Sequence, residues 1–321
     1  MRSVLRRLVV FAVTVLVASF LVFLLVALLP GDVARATLGL GASDDQVEAL
    51  RSQWGLDRPL LLRYAEWLGG FLTGDLGQSY VTGESVSSQV APRLAVTAWL
   101  VGLSTPLALI VALVTGVIAA VGRRRWWGAV ISGVSHLGLA IPAFFAATLL
   151  VLVFAVALGW LPATGYEPLF AGRGVDLAGW ASHLVLPVAA IVIVQGSLLA
   201  RYVRSSFIDV LTEDYYRTAR AVGWTRWRAV FRHGLRNAAT SLATVVGLQL
   251  ASLLVGVILV EQVFALPGLG SLLIRAVSGK DLLVVQGVVM VLVVAVLLIN
   301  LIVDLAYLAI DPRLRRQGET A

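Results

Sequence analysis

Polar side chains are so sparse along this sequence that each one inside an apolar stretch invites a chemical question. Gln195, Gln249, Asn300 and Asp304 interrupt long hydrophobic runs, and Glu261 closes one. A polar group in hydrocarbon is costly, so such residues face a bundle interior, a partner side chain or a watery path. Gln195 and Gln249 are therefore candidates to line a pathway for a polar solute, with an interhelical hydrogen bond as the alternative for each. Around Gln249, the small residues Ala243, Gly247 and Ala251 recur at four-residue spacing, which lets a neighbouring helix approach closely. Glu261 either meets a substrate amine or an external partner, or is a solvated helix end. Asp304 is placed for a structural pair with a nearby Arg. Bond-breaking chemistry finds little footing. Ser135 and His136 adjoin, but Gly133-Val-Ser-His136 is no intramembrane serine-protease signature and no partner His is identifiable. His136, His183 and His233 lie too far apart in sequence for a local metal motif, cysteine is absent, and the phosphate-binding pattern Gly-x4-Gly-Lys-Ser/Thr does not occur. The expectation is a non-enzymatic chain with no metal and no cofactor of its own.

A second constellation is mechanical. Thr212 is placed to cap a helix, with Glu213 and Asp214 at the positive end of its dipole. Gly223 suits the left-handed position just past the end of that helix. Thr225 then caps a second helix, Arg226–Asn237, that runs into the next apolar stretch. A short helix, a glycine and a second helix make a rigid, exposed elbow. Two uses fit it: transmitting force from a cytoplasmic protein partner, or laying Arg226, Arg228, Arg232 and Arg236 on anionic lipid.

The elements that position these groups must be membrane helices. Hydrophobic residues make up 59% of the 321 and charged residues only 13%, with a mean hydropathy of +0.92. A soluble surface needs about 25% charged residues. Six runs satisfy the roughly 20 residues a bilayer crossing requires: Leu8–Leu29, Leu94–Gly122, Trp126–Leu158, His183–Ala200, Ala238–Val260 and Leu282–Ile310. The first is too long for the apolar core of a secretory signal and reads as an anchor. Pro106 and Pro142 are expected to bend two of the others.

Orientation follows from arginine. With both termini cytoplasmic, the inner segments carry 17 of the 25 basic residues, as positive charge retained inside demands. The net charge of +7 is thus a topology signal, and nucleic acid is not an expected partner. Between the first two runs, residues 30–93 form a long external loop with two expected amphipathic helices, Asp44–Trp54 and Pro59–Leu72. The second carries Tyr64, Trp67 and Phe71, and rings of this kind favour the headgroup level. This loop is either a cap lying on the membrane or a docking surface for a soluble partner. Residues 201–237 form the cytoplasmic loop.

The stretch Asp214-Tyr-Tyr-Arg-Thr-Ala-Arg-Ala-Val-Gly223, followed by Arg232-His-Gly-Leu-Arg-Asn-Ala238, resembles the coupling loop of ABC-importer permeases. It is most similar to the first-permease type of the dipeptide, oligopeptide and nickel branch. Pro30-Gly-Asp32, Gly74-Asp-Leu-Gly-Gln-Ser79, Gly247-Leu-Gln249, Val260-Glu-Gln-Val-Phe264, Pro267-Gly-Leu-Gly270, Asn300-Leu-Ile-Val-Asp304 and Asp311-Pro-Arg313 match that branch in order along the chain. Two positions depart from the wider pattern: Arg217 stands where an acidic residue is usual, and Ser241 where a proline is.

The resemblance implies an all-α membrane protein of the type I ABC importer permease fold, in one domain with six transmembrane helices. It implies a place in a bacterial-type inner membrane. Tyr215–Trp224 would be the docking helix for a cytoplasmic ATPase, with Glu213, Asp214, Tyr215, Arg217, Thr218, Ala219, Arg220, Ala221, Gly223 and Trp224 as coupling residues. The implied partners are a second, homologous permease, two ATPase subunits that bind ATP and Mg²⁺, an external substrate-binding protein and a peptide-like solute. A stand-alone channel or secondary transporter is the alternative. Such a carrier usually places coupling carboxylates near the bilayer midplane, where this sequence offers amides.

Overall fold

The computed structural model describes residues 2–28, 33–38, 41–171, 174–230, 232, 247, 249 and 252–310. It divides into two compact units, Met1–Val96 with Gly268–Leu301, and Thr97–Pro267 with Ile302–Ala321.

In the first unit, α1 (Arg2–Ala27) is an apolar helix of 26 residues. It is followed by α2 (Val33–Leu38) and α3 (Asp44–Gln53). Ser43 caps α3 in a reciprocal capping box with Gln46, and Gly55 turns the chain at φ +65°. Next comes α4 (Leu60–Thr73), ended by left-handed Gly74. Its aromatic face packs on α1: Tyr64 meets Phe20 and Phe23 edge-on, and Trp67 lies beside Phe23. The Tyr64 and Ser19 hydroxyls are 2.8 Å apart. The expected pair of loop helices is present, and their rings are spent on the first span. α2 was not expected.

Residues 74–85 form a tight turn in which Ser79 donates to the carboxylate of Asp281 and accepts from the Thr82 amide at 2.9 Å. Asp281 precedes α13 (Leu282–Ile310), and α12 (Leu269–Ser278) comes just before it. α12 was likewise unexpected, because its 10 residues fall short of a span.

α5 (Val86–Val121) crosses from the first unit into the second and runs unbroken past Pro106. It starts at Val86 rather than Leu94, because its first turns, rich in Ser, Gln and Arg, are invisible to a criterion of apolar length. α6 (Trp126–Ala140) and α7 (Ala143–Leu150) are the two halves of the expected third span. They meet at 105°. Ile141, the residue before Pro142, is extended, which ends α6. A π-helical segment, Val151–Ala157, continues α7. A two-residue hairpin, β1 (Phe170–Ala171) with β2 (Gly174–Val175), leads to α8 (Leu177–Val210).

α8 overruns the expected His183–Ala200 at both ends. Its last turns are amphipathic, with Val203, Phe207 and Val210 buried while Arg201, Ser205 and Asp209 are exposed. Hydrophobic run length misses a helix built that way. α6 and α7 both pack on α8, and α5 lies so close to it that a Cβ on Gly116 would sit 2.6 Å from Val203 Cβ. Most of the expected fifth span lies outside the described residues; its far end, α11, is helical over Ser252–Val263. Among the described residues, four helices are long and apolar enough to cross a bilayer, and the bent α6–α7 pair, counted as one span, makes a fifth.

Candidate functional site

The elbow begins where α8 ends. Thr212 does not cap the next helix; its hydroxyl donates back to the Asp209 carbonyl at 2.7 Å, closing α8. Glu213 takes the N-cap position of α9 (Asp214–Ala221) through its extended backbone, without a side-chain bond. Thr218 secures the first turn by donating to the Asp214 carbonyl at 2.9 Å. The end of α9 is a Schellman motif. Gly223, at φ +92°, donates to the Arg220 carbonyl at 3.2 Å, and Trp224 donates to Ala219 at 3.1 Å. Thr225 then caps α10 (Arg226–Ala229), accepting from the Arg228 amide at 3.4 Å. Beyond Val230 the expected second helix lies outside the described residues, except Arg232.

The elbow has an anchored side and a free side. Tyr216 is buried in a cluster with Phe207, Ala229 and Val230 and the α5 residues Val117, Ala120 and Val121, and Tyr215, Ala219 and Trp224 pack against it. The Trp224 ring also lies beneath two guanidinium groups, Arg228 at 4.9 Å and Arg232 at 5.9 Å. On the other side Arg217, Thr218, Arg220, Ala221, Val222 and Gly223 are exposed, Val222 to 74%. The Arg217–Asp214 pair at 3.7 Å is fully solvated and contributes little. One face of α9 is thus anchored through Tyr216 and its packed neighbours, while the other presents Arg217, Arg220 and the exposed Val222.

A family model for inner-membrane components of binding-protein-dependent transport systems matches residues 112–316, and its companion for the N-terminal part matches residues 1–101. The chain belongs to this family. It is therefore a multi-pass inner-membrane permease subunit of an ABC importer. Similar proteins include a Brucella abortus permease named for a peptide transport system, 39% identical over 300 residues, or 94% of each chain. The glutathione transport system permease protein GsiC of Escherichia coli is 40% identical over 312 residues, covering 97% of this chain and 98% of GsiC. In fold, the permease is similar to a chain of the MetNI methionine ABC transporter in an inward-facing conformation. The TM-score is 0.58 at 19% identity, over 69% of this chain and 96% of that one.

The pathway candidates differ in setting. Gln195 is buried within α8, and Gln249 is helical and half-buried with its neighbours outside the described residues. Glu261 is not a solvated helix end: it is fully buried in the second unit, accepting from Thr97 Oγ1 of α5 at 2.6 Å. Sequence reasoning missed Thr97, since one threonine in an apolar run carries no signal of its own. It also missed Ser79 and Asp281 as a pair, although the Gly74–Ser79 motif had marked one half. Near Ser79, burial raises the phenol of Tyr80 above its ordinary value; the Arg63 charge opposes that shift and Asp281 adds to it.

Proposed function

We propose that the permease forms half of a translocation pathway for peptides or similar small solutes, paired with a second, homologous permease. Two cytoplasmic ATPase subunits, which bind ATP and Mg²⁺, drive the pair, and a substrate-binding protein delivers solute from outside. The chain catalyses no reaction itself and crosses the membrane six times, with both termini in the cytoplasm. The solute class rests on the peptide and glutathione systems for which its relatives are named.

The division of the elbow into an anchored and a free side carries the coupling role. Closure of the ATPases pushes on the exposed face of α9. Tyr216 passes that push to α8 and α5, and α10 passes it toward the fifth span. Arg217, Arg220 and Val222 make the contact; Tyr215, Ala219 and Trp224 serve as anchors beside Tyr216 rather than as contact residues.

Co-purification in mild detergent tests this with Arg217→Glu and Val222→Asp, both on the free side and away from the buried cluster. The chain should still insert and recover its partner permease while losing most of its ATPase. Undiminished ATPase recovery in both variants would sink the coupling role.

A further inference from the structure

Residues 122–125 join the inner end of α5 to α6, and the turn they make is locked from within. The Arg125 amide donates to the Gly122 carbonyl at 2.7 Å. The Trp127 ring covers Gly122 so closely that a Cβ there would lie 2.1 Å from a ring carbon. A Cβ on Gly128 would lie 2.2 Å from the Gly122 carbonyl oxygen. Two glycines and an indole therefore fill the inside of the turn, and the side chains at its tip point outward. Arg124, Arg125 and Trp126 are exposed in succession, Trp126 to 78%.

The sequence has no acidic residue between Glu84 and Glu167. Among the described residues, ion pairs form at Arg35, Arg58 and Arg217 but at none of the three arginines of the turn. Trp126 also begins a bare apolar stripe along α6. Val130, Val134 and Leu137 follow it at helical spacing and are exposed too. Gly138 faces α8 instead, where a Cβ would lie 2.1 Å from Ser197 Oγ. Along one face the order is thus aliphatic side chains, an indole and two guanidinium groups. A phospholipid presents acyl chains, glycerol and phosphate in the same order. Indole rings favour the headgroup boundary, and guanidinium groups match phosphate oxygens two at a time. An acidic protein surface would answer the arginines but leave the stripe beside them bare.

We propose that the α5–α6 turn binds an anionic phospholipid. Arg124 and Arg125 hold the phosphate, the Trp126 ring lies at the glycerol level, and an acyl chain runs along Val130, Val134 and Leu137. Two adjacent guanidinium groups favour a headgroup with no ammonium of its own over a zwitterionic one. The site is independent of what the transporter carries, because none of its residues belongs to the elbow or the candidate pathway set.

Native mass spectrometry of the delipidated full-length chain in detergent, titrated with phosphatidylglycerol or phosphatidylcholine of the same acyl chains, tests the site. The parent should bind a first phosphatidylglycerol saturably and more tightly than phosphatidylcholine. That affinity should fall about fivefold with Arg124→Gln or Arg125→Gln and about 25-fold with both. Arg217→Gln, the same charge removed from α9, should leave it unchanged. Trp126→Ala should weaken both lipids severalfold, since it removes the ring and no charge. All the substituted side chains are exposed, so each variant should match the thermal stability of the parent without lipid. Equal affinity of the parent for the two headgroups overturns the proposal, and that comparison needs no variant. An equal loss with Arg217→Gln overturns it too, by making net charge the cause. A double variant that keeps its phosphatidylglycerol but loses co-purified ATPase would give the tip to a protein and overturn it as well.

Discussion

At the scale of single residues, buried polarity in this permease has structural work to do before any role in transport. Glu261 is the clearest case. A carboxylate sealed in apolar surroundings is tolerated only when its lone pairs are met, and Thr97 meets one from α5. Thr97→Val keeps the side-chain volume and deletes that donor, so it should cost about 1–3 kcal/mol. Thr97→Ser, which keeps the hydroxyl, should stay close to the parent. The temperature at which half the purified chain loses monodispersity in detergent reads the difference, and equal losses in both variants would show the hydroxyl to be idle. Tyr80 makes a prediction about pH. Its folded phenol titrates above the unfolded value of about 10. The neutral form is therefore the one that folding favours: its contribution is fully present below pH ~10 and is lost as pH rises through the raised folded value. Phenolate absorbance of the parent minus that of Tyr80→Phe should show a midpoint above 10. A midpoint at or below 10 would mean that the ring is more solvated than its packing against Trp54 implies.

At the scale of elements, helix contacts in the second unit are set by what is missing from side chains. Gly116 of α5 leaves no room for a methyl group: its Cβ would lie 2.6 Å from Val203 Cβ and 2.8 Å from the Ala200 carbonyl of α8. A backbone carbonyl cannot rotate away, so Gly116→Ala should push α5 off α8 at a cost of about 1–3 kcal/mol. Gly102, on the same helix, has nothing within 4 Å of its Cβ position, and Gly102→Ala should be neutral or slightly stabilising through helix propensity. Thermal stability of the two variants side by side tests the contact, and similar behaviour would refute it. These elements also show what was legible in the sequence. α13 was readable residue for residue from hydrophobicity, and α3 and α4 from their amphipathic patterning, because each carries a complete local signature. α8 was read too short because its last turns bury only one face. The α6–α7 break was legible as a proline but not as an angle of 105°, which no local pattern encodes. The elbow was legible at Gly223 and Thr225, where one residue type meets a backbone demand. It was misread at Thr212, whose hydroxyl had two backbone partners within reach and took the carbonyl behind it.

At the scale of the whole molecule, charge and hydrophobicity together assign a side of the membrane to every loop, and the absence of cysteine makes that assignment testable without background. A single cysteine introduced at any exposed position is the only thiol in the chain. Leu61, on α4, is 70% exposed and belongs to the loop expected outside, whereas Val222, just past α9, is 74% exposed and belongs to the elbow expected inside. Leu61→Cys should react with a membrane-impermeant maleimide on intact spheroplasts, and Val222→Cys only after the membrane is opened. The reverse pattern would invert the topology and remove the elbow from reach of any cytoplasmic ATPase. Val222→Cys answers a second question in opened membranes. Solvent-exposed guanidinium groups attract an acidic partner over about 10 Å at 0.1 M salt and less as salt rises. If Arg217 and Arg220 frame the contact, co-expressed ATPase should slow labelling of Val222→Cys severalfold, high salt should restore the rate, and added Arg220→Glu should abolish the protection at any salt. Protection that survives both treatments would place the contact on apolar surface alone. It would leave the basic face of α9 to the lipid headgroups, the other use its arginines fit.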